Sequence, residues 1–288
     1  MLRARGEDPV AISADSMQVY AGLGTLTGAA APEEQARLEH RLIGFVPVGE
    51  QFSVGEYMSL AHAEIDGALA ARRRPIVVGG TGLYLRAALT ELDLRPPPDP
   101  DVRARVQARM DAEGPDALRE EVLRRAPAAR IARGDRNRIV RYLELLEMGE
   151  GSDPLRARES GADADRSQLW SDEMRHPTLL VGLVMDRALL DERIDARMEA
   201  IAATALDEVR AADAAGASAT ARKALGFDDL LRGDVEALKL KTRRFARRQM
   251  AWMRKMHGVH VLDATGCEPA DLAGEIVRLL DAANAATR

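Results

Sequence analysis

The chain has 288 residues, 46% of them hydrophobic, with a formal net charge of −5 and one cysteine, Cys267. That is enough apolar material for one large domain or a core with an inserted subdomain, and no apolar run approaches the roughly 18 residues of a membrane span. The opening MLRARGEDPV has no apolar segment behind its basic residues, so no signal peptide is expected; a lone thiol forms no internal disulfide and fits a reducing cytosol; and the negative net charge confines any nucleic-acid surface to a local patch.

In chain order, Leu2 to Glu7 reads as the tail of a helix stopping at Gly6. Val10, Ala11 and Ile12 form a short apolar run that breaks into Ser13, Asp15, Ser16 and Gln18. This is the pattern of a buried parallel strand ending in a polar turn, and open α/β sheets bind ligands at the carboxyl ends of their strands. Asp15 is then either a site carboxylate or simply a cap for the next element. A Gly- and Thr-containing loop, AGLGTLTGAAAP, leads to a short helix over Glu33–Leu38 and a second strand over His40–Val46. Ser53 and Glu56 make an S-x-x-E capping box opening a helix to about Arg73. Its end carries Arg72, Arg73 and Arg74 against the negative pole of the helix dipole, and Pro75 is expected to stop it.

PIVVGGTGLYLRAAL follows: a buried strand at Ile76–Val78, then Gly79, Gly80 and Gly82, then a helix from Leu83. Strand, glycine turn and helix N-terminus can present free N–H groups to an anion, or the glycines can serve turn geometry alone. The proline-rich LDLRPPPDP marks a boundary. Beyond it the pattern is helical, over Asp101–Glu113, Asp116–Arg125 and Asp135–Glu147. The expected organisation is a core over 1–95, a helical insertion over 96–150, a polar and flexible surface segment over 151–176, and the rest of the core over 177–288. Pro177–Asp186 reads as a strand, Arg187–Val209 as helix, Ala211–Thr220 as a loop, and Val259–Asp263 as a late strand. Alternating strands and helices around a helical block predict an α/β fold with a parallel sheet. The run Lys239–Lys255 holds eight Lys or Arg and no acid. Arg243 with Arg247, and Arg244 with Arg248, repel at i,i+4 unless a polyanion neutralises them, so the run is either an RNA-binding helix or a solvated basic face. His40, His62, His176, His257 and His260 show no metal-ligand spacing.

ISADSMQVY, VVGGTGLYLRA, DPDVRAR, DRNRIVRYLELLE, KALGFDD and TRRFARRQMAWMRK stand in the order, and at about the spacing, found in tRNA dimethylallyltransferases, the bacterial tRNA isopentenyltransferase family, which the chain resembles from about residue 2 to 265. The resemblance implies a P-loop-kinase-like parallel core with a helical insertion that grips the tRNA anticodon stem-loop. It also implies transfer of a dimethylallyl group from dimethylallyl diphosphate to N6 of the adenosine 3′ of the anticodon (position 37), aided by Mg²⁺, in a cytoplasmic protein expected to be a monomer. Asp15 matches the family's general base and Thr81 a residue beside the target base. Asp15, Ser16, Met17, Gln18, Thr81, Arg103, Asn137, Arg138, Ile139, Val140 and Arg141 match tRNA-contacting positions, and Arg243, Arg244, Arg247 and Arg248 are the basic-helix candidates.

Family members begin with a strand and a GPTASGK[ST]-type P-loop, whereas no G-x-x-x-x-G-K-[ST] occurs in these residues. The expectation is therefore a chain recorded without its first strand and phosphate cradle, with an open sheet edge and a poorly stabilised leaving diphosphate. A tRNA-binding paralogue without catalysis, and a small-molecule kinase of the same fold, are the competing readings.

Overall fold

The computed structural model describes residues 1–92, 94, 99–149 and 173–286. Pro9–Ser13 forms β1, buried along its whole length, with Val10 and Ile12 fully so. It is the middle strand of a parallel three-stranded sheet, between β2 (His40–Arg41) and β3 (Arg74–Val78). A central strand covered on both faces must be apolar throughout, which is why Val10–Ile12 carries no alternation. A second parallel sheet pairs β4 (Leu180–Val184) with β5 (Val259–Asp263).

Parallel strands need crossovers, and helices supply them. Between β1 and β2 lie α1 (Gly24–Thr27) and α2 (Pro32–Arg37); α3 (Val54–Ala70) links β2 to β3, and α4 (Gly82–Leu89) follows β3. After β4 come α7 (Arg187–Thr204), α8 (Leu206–Ala214), α9 (Phe227–Leu231) and α10 (Val235–Met253), and α11 (Pro269–Ala286) follows β5. The chain divides into two compact units, Met1–Leu92 with Leu169–Arg288, and Asp93–Gln168. In the larger, Val19, Tyr20, Leu23 and Leu26 pack with Ile194, Met198 and Ile201 of α7, Val209 of α8, Phe227 of α9 and Leu238 of α10. In the smaller, α5 (Pro100–Arg125) and α6 (Arg136–Glu147) close on their own core of Val106, Met110, Leu118, Val122, Ile139 and Leu143. Gly114 kinks α5 at φ +81°, a backbone that glycine adopts without strain.

Local chemistry was legible where it was self-contained. The Ser53 hydroxyl accepts the Glu56 N–H at 3.3 Å and the Glu56 carboxylate accepts the Ser53 N–H at 2.9 Å, so α3 opens on its capping box. Elsewhere tertiary context prevailed. The second strand is two residues long, because Leu42 and Gly44 take positive φ and the chain rejoins the segment after β1 through Gly44–Val46, which bond Gln18 O and Val19 O, with a bridge at Tyr20–Val46. The loop AGLGTLTGAAAP contains α1. Helix α3 ends at Ala70 with Arg72 left-handed at φ +57°, and Pro75 lies inside β3. Arg74 N–H bonds Asp8 O of β1's side, so strand alternation turns Pro75's missing donor to the outer edge, where a proline costs no ladder bond. Arg73 pairs with Asp8 and Glu39, and Arg74 with Glu7, so these side chains tie strands together and do not serve the dipole of α3. Ala211–Ala214, expected in a loop, completes α8.

Two consequences shape the site. The core is two sheets, not one: the outer edge of β3 and the outer edge of β4 have no strand partner among the described residues. α10 packs on both sheets, since Gln249 and Trp252 crowd the turn after β3 while Met253 crowds Gly182 in β4. Most of the segment expected to be a flexible surface stretch lies outside the described residues. Its last part is anchored: Arg175 N–H bonds Leu89 O, and its guanidinium pairs with Asp66 and Glu91. Hydrogen bonds from Arg175 and then His176 hold the Asp66 carboxyl down at about 2.

Candidate active site

Asp15 stands one residue beyond the Ala14 that ends β1's ladder, where Ala14 N–H bonds Val78 O at 2.7 Å. Its Oδ1 accepts the Met17 N–H at 2.8 Å and the Gln18 N–H at 3.4 Å. The capping role and the site role therefore coexist in one side chain. One oxygen is spent on the turn, which fixes the carboxylate plane, and Oδ2 accepts no hydrogen bond among the described residues.

Two buried tyrosines lie near enough to feel the Asp15 charge. Tyr57 of α3 and Tyr84 of α4 stack with ring centroids 4.3 Å apart, and the Tyr57 hydroxyl donates to Ser13 O at 2.9 Å. Burial, with a smaller contribution from Asp15's charge, pushes both phenols well above their usual range, so they stay neutral. Nothing in the sequence pattern tied Tyr57 to Asp15; the link exists only because α3 crosses back under β1.

Thr81 caps α4 by position, yet its hydroxyl makes no cap bond. It meets Ser16 instead, accepting the Ser16 N–H at 3.4 Å and sharing a hydroxyl–hydroxyl contact at 3.4 Å. Asp15, Ser16 and Thr81 thus converge at the carboxyl ends of β1 and β3. The glycines around Thr81 make room for the protein itself. A Cβ on Gly79 would strike the Ala14 backbone, one on Gly80 the Gln249 amide, and one on Gly82 the Trp252 ring. None of these three has positive φ, so close approach and not turn conformation demands glycine here.

Other candidates are placed less directly. Gln18 is used as scaffold: its Oε1 accepts from the Ser13 hydroxyl and its Nε2 donates to Gly28 O. Met17 packs partly against the core. On α10 the basic run divides. Arg243 turns onto α7 and pairs with Asp195, and Lys239 pairs with Glu199 at 2.5 Å. Asp191, Asp195 and Glu199 recur every fourth residue and present one acidic face to it, a spacing legible in the sequence once the two helices are known to pack. Arg244, Arg247 and Arg248 remain exposed without an ion-pair partner among the described residues, Arg248 lying over the Phe245 ring at 5.5 Å. Of the four arginines expected on the basic surface, Arg243 is thus drawn into an internal ion pair and the other three stay exposed.

In the smaller unit, Asp135 caps α6 by accepting the Arg138 N–H at 3.1 Å. Asn137 and Arg138 are exposed, whereas Ile139 is fully buried and Val140 packs beside it, so the run contributes its polar members to the surface and its apolar ones to the core. Glu144, only 1% exposed, receives Arg103 at 2.9 Å and Arg141 at 3.3 Å, holding two guanidinium groups side by side.

Among the described residues no three His, Cys, Asp or Glu side chains converge as a metal site, and Asp15 has one oxygen committed to backbone donors. No helix among them is long and apolar enough to cross a membrane.

Known proteins resemble the chain over most of its length. The sequence model of the family described as IPP transferase matches residues 18–256. A tRNA dimethylallyltransferase of Kineococcus radiotolerans is 38% identical over 99% of this chain and 90% of its own length. One from Thermobifida fusca is 39% identical over 92% of this chain and 84% of its own. The crystal structure of a tRNA isopentenylpyrophosphate transferase from Bacillus halodurans superposes with TM-score 0.67 at 26% identity, covering 97% of this chain and 89% of that one.

Proposed function

The chain belongs to the IPP transferase family, and from that premise we propose that it transfers a dimethylallyl group from dimethylallyl diphosphate to N6 of the adenosine 3′ of the anticodon in tRNA. The observation that carries this is the Asp15 carboxylate, locked through Oδ1 and open at Oδ2, beside the Ser16–Thr81 hydroxyl pair. An exocyclic adenine amine is a poor nucleophile because its lone pair is delocalised into the ring. As the N6–C bond forms and the C–O bond to diphosphate breaks, the N6 proton passes to Asp15 Oδ2. General-base help of this kind is worth ~10²–10⁴-fold. Thr81 holds the base, since a hydroxyl both donates and accepts. The adenine must leave its stack to reach these groups, as bases do in enzymes that act on them. A Mg²⁺ accompanying the diphosphate would supply neutralising charge to the leaving group, with the diphosphate oxygens as its natural ligands.

Incubation with labelled dimethylallyl diphosphate and tRNA, followed by digestion to nucleosides, tests this function. The label is expected on N6 of the adenosine 3′ of the anticodon. Label in any other nucleoside, or diphosphate release with unlabelled RNA, would contradict it.

RNA binding to α10 makes a separate prediction. Replacing Arg244, Arg247 and Arg248 with Gln is expected to lower the slope of log K against log salt by about 2, since each phosphate contact on single-stranded RNA contributes ~0.7. Arg243→Gln should leave the slope unchanged and lower Tm, because it strands Asp195 on α7. A slope insensitive to the triple change would make this face merely solvated.

A further inference from the structure

We propose that Gln249 is a positioning residue for Thr81, coupling the basic helix α10 to the hydroxyl pair beside Asp15; this deepens the prenyl-transfer reading and rests on it. The Gln249 side-chain amide donates to Gly80 O at 3.1 Å, and Gly80 is the residue immediately before Thr81. Trp252, one turn of α10 further on, packs its ring against Gly82, the residue immediately after. Thr81 is thus flanked on both sides by contacts from one helix.

Those contacts matter because the Thr81 side chain has little else to fix it, while its carbonyl accepts the Leu85 N–H at 3.0 Å in the first turn of α4. Its hydroxyl makes no cap bond to α4, and its two approaches to Ser16 are long, at 3.4 Å each. Position must come from the backbone, and at Gly80 the backbone is held by Gln249. Gly80 and Gly82 have ordinary φ, and a Cβ on either would collide with α10, so their lack of a side chain serves this contact. Gln249 also directly follows Arg247 and Arg248, whose guanidinium groups are exposed on the same helix. A polyanion that engages those arginines acts on the element that sets Thr81.

The mechanism separates positioning from binding. A lost neutral hydrogen bond that matters only for placing Thr81 should lower kcat and leave the affinity for tRNA alone. Gln249→Met keeps length and packing and removes the donor. It is expected to lower the single-turnover rate by ~10-fold, the worth of one such bond, with KM for tRNA within about twofold of the parent on the same reasoning and Tm lowered by no more than about 4 °C. In a Thr81→Ala background the same change should have no further effect, because residues acting as one unit are not additive. Gly80→Ala, which displaces the Gln249 amide by a different route, should reproduce the rate loss and be equally silent without Thr81. A rise in KM at constant kcat would make Gln249 a direct RNA contact. Rate losses that multiply with Thr81→Ala, or an unchanged rate in Gln249→Met, would likewise overturn the positioning role. Parent protein that transfers no label would instead defeat the underlying function, an outcome distinct from each of these.

Discussion

A version of the chain extended at its N-terminus by an apolar strand and a G-x-x-x-x-G-K-[ST] loop is expected to be more stable and at least ~10²-fold faster in prenyl transfer than the 288-residue chain. The structural reason is the division of the core into two parallel sheets. β3 and β4 both present outer edges without a strand partner among the described residues, and α10 packs on the two sheets alike. Val78 of β3, Leu183 of β4 and Val261 of β5, which pairs with β4, are 56%, 52% and 55% exposed. Covering three half-exposed aliphatic side chains contributes roughly 3 kcal/mol. For a protein of this size that corresponds to a rise in Tm of about 6–12 °C. The rate gain has a different origin. A glycine-rich loop aims backbone N–H groups at a phosphate, and its lysine adds a fixed positive charge where the diphosphate leaves. Donors preorganised on a developing negative charge are worth ~10²–10³-fold each. Differential scanning calorimetry and single-turnover transfer read the two effects independently. An extended chain no more stable and no faster would mean that the strand edges accept no partner and that the diphosphate is held elsewhere.

How much of this was legible before the structure depended on whether a feature is local. The Ser53–Glu56 box, the Val10–Ile12 strand and the Asp15 turn are set by residues within a few positions of one another, and each formed where its residues stand. Pro75 misled because a proline ends a helix in isolation, whereas here it occupies a strand's unpaired side. The His40–Val46 run had strand composition but carries two left-handed residues, which no composition reveals. The basic run was only partly legible for a related reason. The sequence of one helix does not reveal that Glu199 and Asp195 on another pair with Lys239 and Arg243 while the remaining arginines stay exposed. Within the site, motif residues Asp15, Ser16 and Thr81 came together. Gln249, Trp252, Tyr57 and Tyr84 did not announce themselves, because their relation to Thr81 and Asp15 is made by packing between elements far apart in the chain.

Asp15 is the proposed proton acceptor, and the rate of the chemical step in Asp15→Ala tests that role most directly. The carboxylate is oriented by two backbone donors to Oδ1 and keeps Oδ2 for the substrate. Removing it takes away the proton acceptor and leaves the exposed arginines of α10 and α6 untouched. The turn loses its bonds to Met17 and Gln18 as well, so Asp15→Asn, whose Oδ1 can still accept them, is measured beside it. Both variants, saturated with tRNA and given labelled dimethylallyl diphosphate, are expected to transfer at least ~10²-fold more slowly than the parent, with tRNA affinity within about twofold of it. Transfer by Asp15→Asn at the parent's rate would contradict the account, leaving Asp15 only its bond to the turn.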